Sequence, residues 1–151
     1  MCIRDSLKWL RKKDSTVTRQ QVEDRGKWLE EKFTTEVIAT YEIAQRDGSS
    51  PLDLKGSPSG ALGIAQFLPS NIDKLGMDGS GDGEVDLFEP ADAIFSVGNY
   101  LFHHGWDSET HKSQSKMKEV IWSYNHSDAY VNTVLGLATR LKKKLMKNNT
   151  S

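Results

Sequence analysis

The stretch "DGSGDGEVDLFE", residues 78–89, has the spacing of an EF-hand-type calcium loop. Calcium binds roughly six to eight oxygens, and such a loop supplies them from about positions 1, 3, 5, 7, 9 and 12, with glycine at position 6. Gly83 stands at that glycine position. The loop therefore predicts calcium as a cofactor. The predicted ligands are Asp78, Ser80, Asp82, Glu84 through its backbone carbonyl, Asp86 and Glu89.

The chain contains one such loop and no second loop to couple with it. A single loop between helices is better suited to pinning a fold than to signalling, so we expect a structural role for calcium. The alternative is a flexible acidic turn, because Asp and Gly favour turns for local reasons. Asp92, three residues beyond Glu89, is a second candidate for the closing carboxylate.

Composition limits the classes of protein that this chain can belong to. Its 151 residues suffice for one domain with a real core. A net charge of -1 provides no basic field for a nucleic-acid backbone, so we expect no nucleic-acid partner. No apolar run approaches the roughly 20 residues that span a bilayer.

The first residues require separate treatment. Residues 1–6, "MCIRDS", match the translation of an adapter sequence used in shotgun libraries, which predicts that they are artefactual and that the chain is a gene fragment. Cys2, the only cysteine, lies there and carries no information on redox compartment. We expect a poorly defined segment over 7–17, a core over 18–147 and a tail over 148–151.

Helical periodicity dominates the remainder, and strand signals are almost absent. Apolar residues recur at three-, four- and seven-residue intervals along a long helix over about 18–46. Further helices are expected over about 69–75, 90–103 and 116–124, and from 127 or 128 to about 147. The basic end "RLKKKLMK" is interpreted as a solvated helix face. The stripe on the first helix comprises Val22, Leu29, Phe33, Val37, Tyr41 and Ala44, and the inner face of the helix at 90–103 is predicted as Ala93, Ile94, Val97, Tyr100 and Leu101.

Three motifs in order, "GSPSGALGIAQFLPSN" (56–71), "DGSGDGEVDLFEPADAIFSVGNYLFHHGW" (78–106) and "YNHSDAYVNTV" (124–134), resemble the membrane-bound lytic murein transglycosylase B family. The resemblance covers roughly residues 51–145. It implies a mainly α, lysozyme-like helical domain with one embedded EF-hand-type calcium loop, which in the family is closed by the carboxylate corresponding to Asp92. It also implies peptidoglycan glycan strands as the partner, a periplasmic or outer-membrane-associated location, a parent that is membrane-anchored, and a monomer.

The resemblance also implies a reaction. Family members cleave between N-acetylmuramic acid and N-acetylglucosamine without water and leave a 1,6-anhydro end. One glutamate acts as general acid and then as base, which requires a pKa raised by a partly apolar pocket. That glutamate precedes the helix corresponding to 18–46, where this chain has no glutamate before Glu23. We therefore expect the acid to lie upstream of the fragment, with Glu42 as the best internal alternative.

The motifs also supply the residues that the resemblance implies bind glycan. Each of these residues has a structural alternative: Gln66 could satisfy buried backbone groups, Ser57 could be an ordinary loop serine, the tyrosines could be core residues, and Asn125 could cap a helix. A zinc site is disfavoured, because adjacent histidines point to different helix faces and no cysteine completes a set; the histidines are His103, His104 and His126. The residues implied to bind glycan are Ser57, Gln66, Tyr100, Tyr124, Asn125 and Tyr130.

Two functions of different class remain open. The first is an enzyme fragment, the core of a peptidoglycan lytic transglycosylase that is inactive alone. The second is a calcium-stabilised module that binds glycan without cutting it. A calcium-binding structural protein without any glycan role is the blander alternative. Family members carry a long insertion between the positions of Trp106 and Tyr124, whereas this chain has a short polar link, which leaves contacts made by that insertion in doubt.

Overall fold

The computed structural model describes residue 12 and residues 14–148, without the side chain of Asn148. Helices dominate these residues, which confirms the mainly α class. The β pairing recorded among them consists of two isolated bridges, Gly56 with Leu62 and Leu62 with Phe67. The helices are α1 (Arg19–Arg46), α2 (Pro69–Leu75), α3 (Pro90–His103), α4 (Gln114–Tyr124) and α5 (Asp128–Asn148), with a 3-10 turn at Thr110–Lys112.

Internal contacts divide the chain into two compact units, Met1–Lys74 and Leu75–Ser151. The expected artefact at 1–6 lies outside the described residues, as do 7–11 and 13 of the expected N-terminal segment and 149–151 of the expected tail. In the described part of the chain, no helix combines the length and the hydrophobicity needed to cross a membrane.

Helix α1 begins where its sequence predicts. Thr18 and Gln21 form a reciprocal capping box, and the helix ends before Gly48, whose φ of +62° suits a residue without a Cβ. Its apolar stripe is largely uncovered, since Phe33 is 70% exposed and Tyr41 is 53% exposed. The buried side chains lie near the C-terminal end of α1: they are Ala39, Ile43 and Ala44.

Glu36 joins α1 to the start of α2 within the first unit. Its carboxylate accepts hydrogen bonds from the Ser70 N–H at 2.9 Å and from the Ser70 hydroxyl at 2.7 Å. Lys32 lies 2.6 Å from the same carboxylate, one helical turn earlier on α1. Because the first N–H groups of a helix lack internal partners, Glu36 serves α2 as a cap from another element.

The second unit contains α3, α4 and α5. On α3 the buried residues include Ala93 and Tyr100, as predicted, whereas Ile94 is 69% exposed and its assignment to the inner face is wrong. Ser96, which the apolar pattern did not single out, is fully buried, and its hydroxyl accepts from the Met77 N–H at 2.9 Å. Helices α4 and α5 form a hairpin, with Val120, Ile121 and Val131 buried.

Candidate functional site

Gln66 has an unusual backbone in the first unit. Its φ is +52°, and it is the non-glycine residue with positive φ in the described chain. The bridge between Leu62 and Phe67, with N–H to O distances of 2.7 and 3.1 Å, closes the turn around it. Left-handed backbone costs a non-glycine residue roughly 1–2 kcal/mol. Such strain at an exposed amide is typical of functional positions.

The side chain of Gln66 is held by the same turn. Its Nε2 donates to the Gly63 carbonyl at 2.8 Å. Among the described residues its Oε1 accepts no hydrogen bond, so this oxygen is available to a ligand. The hydrogen bond from Nε2 to the Gly63 carbonyl agrees with a structural role for Gln66. The side-chain carbonyl of this exposed residue agrees with a binding role.

Ser57 lies in the preceding turn and is partly buried. Its Oγ accepts from the Ala61 N–H at 3.2 Å, and its backbone N–H donates to the Ala61 carbonyl at 2.9 Å. These bonds give Ser57 a structural role in the loop. Because the hydroxyl accepts here, its own hydrogen remains free to donate to a carboxylate.

Three tyrosines form an aromatic cluster in the second unit. The rings of Tyr100 and Tyr124 meet edge to face at 4.9 Å, and those of Tyr124 and Tyr130 lie 6.3 Å apart with planes 7° apart. Tyr100 is buried, and its hydroxyl donates to the Ser123 carbonyl at 2.8 Å. Tyr100 thus joins α3 to α4 and supports the other two rings, while Tyr130 is exposed.

Tyr124 is partly buried, and burial raises the pKa of its phenol, with further raising by Tyr130 and Tyr100. The hydroxyl therefore stays neutral at physiological pH and can both donate and accept a hydrogen bond. Asn125 follows at the C-cap of α4, where its backbone N–H donates to the Ile121 carbonyl. The Asn125 residue is exposed beside Tyr124.

His104 extends the cluster, which sequence reasoning missed. Its ring stacks on Tyr100, with centroids 3.9 Å apart and planes 11° apart. Its Nδ1 lies 2.7 Å from the Tyr100 carbonyl, which can only accept, so we assign the hydrogen to Nδ1. The sequence contains one signal for this contact: His104 follows Tyr100 by four residues, and side chains four residues apart along a helix are neighbours.

Asp92 organises the acidic loop. It is 1% exposed, and its carboxylate accepts from the N–H groups of Gly79 and Ser80 at 2.9 Å each and of Asp86 at 2.8 Å. The bond from Asp86, then those from Ser80 and Gly79, hold the pKa of Asp92 below 3.8, although burial raises it. Glu89 instead caps α3 by accepting from the Asp92 N–H at 2.9 Å. Of the two candidates for closing the loop, Asp92 is the one bonded to its start.

Asp78 stands at the beginning of the loop. It accepts from the N–H groups of Gly81 and Gly83, and these bonds lower its pKa, while the charge of Asp92 raises it. Two neighbouring carboxylates that repel each other, with Ser80 donating to Asp78 at 3.2 Å, are chemically suited to a hard cation. These oxygen donors are of the chemical type that calcium prefers.

The structure does not gather the predicted ligands into a ligand cage. Within the described residues no three His, Cys, Asp or Glu side chains are grouped closely enough to hold a metal. Asp82 accepts from the Glu84 N–H at 2.9 Å and Asp86 from the Phe88 N–H at 2.8 Å, so both form local turns. Metal ligation by the full predicted set stays a prediction.

Neither Glu42 nor Glu36 has the geometry of a catalytic acid. Glu42 is exposed on α1. For Glu36, burial raises the pKa, but the bonds from Lys32 and Ser70 outweigh it and leave the pKa below 4.5. A general acid needs the opposite shift, so the geometry of Glu36 fits a structural anion.

Comparison with known proteins identifies the family. The family model described as Transglycosylase SLT domain matches residues 13–118. The chain belongs to this family. It is 45% identical over 76 residues to membrane-bound lytic murein transglycosylase B of Escherichia coli K12, a match covering 50% of this chain and 21% of that protein. The match therefore spans about a fifth of the length of that relative.

Solved structures of SLT-type enzymes share the fold. Escherichia coli lytic transglycosylase SLT35 in complex with bulgecin A superposes with a TM-score of 0.63 at 28% identity, covering 74% of this chain and 54% of that one. SLT35 in complex with calcium matches with a TM-score of 0.50 at 44% identity, covering 51% and 25%. The resemblance inferred from the three motifs is confirmed.

Proposed function

We propose that this SLT-domain chain is the glycan-holding part of a peptidoglycan lytic transglycosylase. The observation that carries the proposal is the match of the Transglycosylase SLT domain over residues 13–118. Half of the chain aligns with a murein transglycosylase, and this similarity supports peptidoglycan as the substrate class.

The proposed reaction cleaves the bond between N-acetylmuramic acid and N-acetylglucosamine and leaves a 1,6-anhydro end. A protonated glutamate donates to the glycosidic oxygen and then accepts the proton of the muramyl 6-hydroxyl, which closes on the anomeric carbon. Since Glu36 has a lowered pKa and Glu42 is exposed, we assign this role to a glutamate upstream of α1 in a longer protein. The Ser57 hydroxyl would orient that carboxyl.

The proposed glycan-binding residues are assigned separately for each unit. In the first unit, Gln66 Oε1 accepts from a sugar hydroxyl or acetamido N–H. In the second unit, Tyr124 and Tyr130 offer ring faces to the sugars, and Asn125 offers its amide. Tyr100 acts by holding Tyr124, because its own hydroxyl is bonded to Ser123.

Calcium, when bound, would neutralise the repulsion within the acidic loop and fix the start of α3. Asp78 and Asp92 are the central candidates to hold it, because both carboxylates accept hydrogen bonds from N–H groups of this loop. The other proposed ligands are Ser80, Asp82, the Glu84 carbonyl, Asp86 and Glu89. The role is structural, and no catalytic step depends on it.

The proposed setting follows from the same family. A murein substrate supports a location in the periplasm or at the outer membrane, and we propose a membrane-anchored parent chain and a monomer. The net charge of -1 provides no basic field to attract a nucleic acid, so we propose no nucleic-acid partner.

A non-catalytic glycan-binding module is the second candidate. The lowered pKa of Glu36 fits this candidate as well as the first, because neither requires that carboxyl to act as an acid. Both candidates predict glycan contact. They differ in whether the natural protein carries an acid upstream.

The experiment compares this chain with the protein extended upstream to its natural start. Both are incubated with murein sacculi, and anhydro-muropeptides are measured by mass spectrometry. We expect product from the extended protein alone, and at least a tenfold loss in its Gln66→Ala variant if the amide contributes mainly to the transition state. Product from the 151-residue chain would refute the missing acid, and absence of product from both would favour the binding module.

A further inference from the structure

Besides the tyrosine cluster, the α4–α5 hairpin carries an open groove with a volume of about 460 Å³. From α4, positions 118, 119 and 122 share one helical face, and from α5 so do positions 128, 131 and 132. Trp122 is 37% exposed, whereas Val131 is 3% exposed and forms an apolar floor. The lining residues are Lys118, Glu119, Trp122, Asp128, Val131 and Asn132.

The groove is separate from the tyrosine cluster. Trp122 and Tyr124 are two residues apart on α4, which places them about 200° apart around the helix. Tyr130 and Asn132 have the same relation on α5. The groove therefore faces away from the cluster on the same hairpin, and a ligand in one does not occupy the other.

The chemistry of the groove suits a neutral sugar. An exposed indole offers a flat apolar face of the kind that packs on the C–H face of a pyranose. The His126 ring lies nearly perpendicular to the Trp122 indole, with ring centroids 5.6 Å apart and planes 79° apart. Asn132 supplies both an amide donor and a carbonyl acceptor, which pair with an acetamido group.

The charges around the indole select against other ligands. Glu119 and Asp128 outnumber Lys118, so an anionic polymer would meet net repulsion. Carboxylates accept hydrogen bonds from sugar hydroxyls, and the ammonium donates to them. A neutral ligand with many hydroxyls uses all of these groups.

The geometry points to a second glycan-binding site in this groove, which takes one N-acetylated hexosamine unit with its ring face on Trp122. This inference rests on the proposed function, because it assumes that the chain encounters a glycan strand. A site on the opposite side of the hairpin from the tyrosines would hold a second strand segment.

The test is a titration of the ¹⁵N-labelled chain with tri-N-acetylchitotriose, observed by NMR. The four tryptophans give separate indole signals, and Trp122→Phe assigns the one of interest. We expect a saturable shift of the Trp122 indole. Trp122→Ala, followed through the backbone amide of Asn132, should weaken the affinity of the groove by about tenfold or more, as for a central aromatic anchor. Asn132→Ala, followed through the Trp122 indole, should weaken it by several-fold.

Controls separate this site from the rest of the molecule. Trp28→Ala removes an indole that is 47% exposed in the first unit and should leave the Trp122 shift unchanged. Tyr130→Ala should also leave it unchanged, whereas a loss of the shift in that variant would overturn a separate site. Circular dichroism and the milder Trp122→Tyr variant distinguish loss of binding from loss of fold.

The outcomes distinguish this inference from the proposed function. A shift at Tyr124 without one at Trp122 would overturn the second site and leave the proposed function standing. A shift at Trp122 without one at Tyr124 or Gln66 would support the groove and contradict the proposed primary site. No shift at any of these residues would contradict both.

Discussion

At the scale of single residues, Gln66 combines strain with a candidate contact. Its positive φ is imposed by the Leu62–Phe67 bridge, and its Nε2 is bonded to Gly63, so the backbone sets where the exposed Oε1 points. A residue is expected to keep a destabilising backbone conformation at a proposed ligand contact where selection for function outweighs selection for stability.

Replacing Gln66 separates these two effects. Gln66→Gly relieves the left-handed backbone and should be more stable than Gln66→Ala by about 1 kcal/mol, measured by urea unfolding. Both variants lose the amide and should bind murein glycan more weakly than the wild type. Equal stability of the two variants would show that the φ of +52° carries no strain.

Glu36 gives a pH-dependent prediction. Its folded-state pKa lies below 4.5, so its stabilising effect is full above that pH and is lost as pH falls through the lower folded value. Glu36→Gln should lower the free energy of unfolding by about 1 kcal/mol at pH 7, a figure reduced for solvent exposure.

The measurement is urea unfolding of both proteins from pH 7 to pH 3, where the gap between them should narrow below about pH 4. Glu42→Gln is the matched control, because Glu42 is exposed on the same helix, and its effect should stay within about 0.5 kcal/mol. A gap that stays constant across this range would contradict a lowered pKa for Glu36.

At the scale of elements, the acidic loop is packed against α3. A Cβ on Gly79 would meet the Ala91 carbonyl at 2.6 Å and the Phe95 ring at 2.6 Å, so Gly79→Ala should disrupt the loop and lower the melting temperature. Gly98 lies inside α3 with nothing within 4 Å of such a Cβ. Gly98→Ala should be stabilising by about 0.5–1 kcal/mol. A harmless Gly79→Ala would show that the loop is not seated on α3.

Calcium gives a second prediction for this loop. Binding to the folded state stabilises it by mass action, by about 2.7 kcal/mol at a hundredfold excess over Kd. Calcium should therefore raise the melting temperature more than magnesium at equal ionic strength, since magnesium demands stricter geometry. Asp92→Asn should lower the melting temperature without calcium and reduce the calcium response. A melting curve unchanged at millimolar calcium would count against the site.

Helix boundaries were predictable because local chemistry sets them. Pro69 and Pro90 stand at the first positions of α2 and α3, as expected, and Thr18 is the N-cap of α1, at the expected start of that helix. Periodicity shows which residues share a face but not whether another element covers it. The exposure of Phe33 and Ile94 therefore could not be derived from the sequence.

The candidate site was predictable in its composition but not in its geometry. The motifs named Gln66 and Tyr124, yet the φ of Gln66 depends on a bridge that no single-residue rule predicts. Asp92 bonds to the start of the acidic loop, whereas Glu89 caps α3. The sequence alone does not show which of the two carboxylates reaches the Gly79 N–H. His104 was overlooked because its role comes from stacking on a neighbouring ring.

At the scale of the whole molecule, the chain belongs to the Transglycosylase SLT family, and each of its two units carries candidate glycan contacts of its own. The described glutamates that were considered as acids serve other roles or lie in solvent. The central proposal is that Gln66 and Tyr124 contact murein glycan and that a glutamate outside these 151 residues supplies the acid.

The most direct measurement is an NMR titration of the labelled 151-residue chain with an uncleaved murein tetrasaccharide, followed by mass spectrometry of the sugar. We predict saturable shifts at the Gln66 side-chain amide and at Tyr124, with the tetrasaccharide recovered intact. Unchanged signals at both residues, or recovery of a 1,6-anhydro product, would contradict the account.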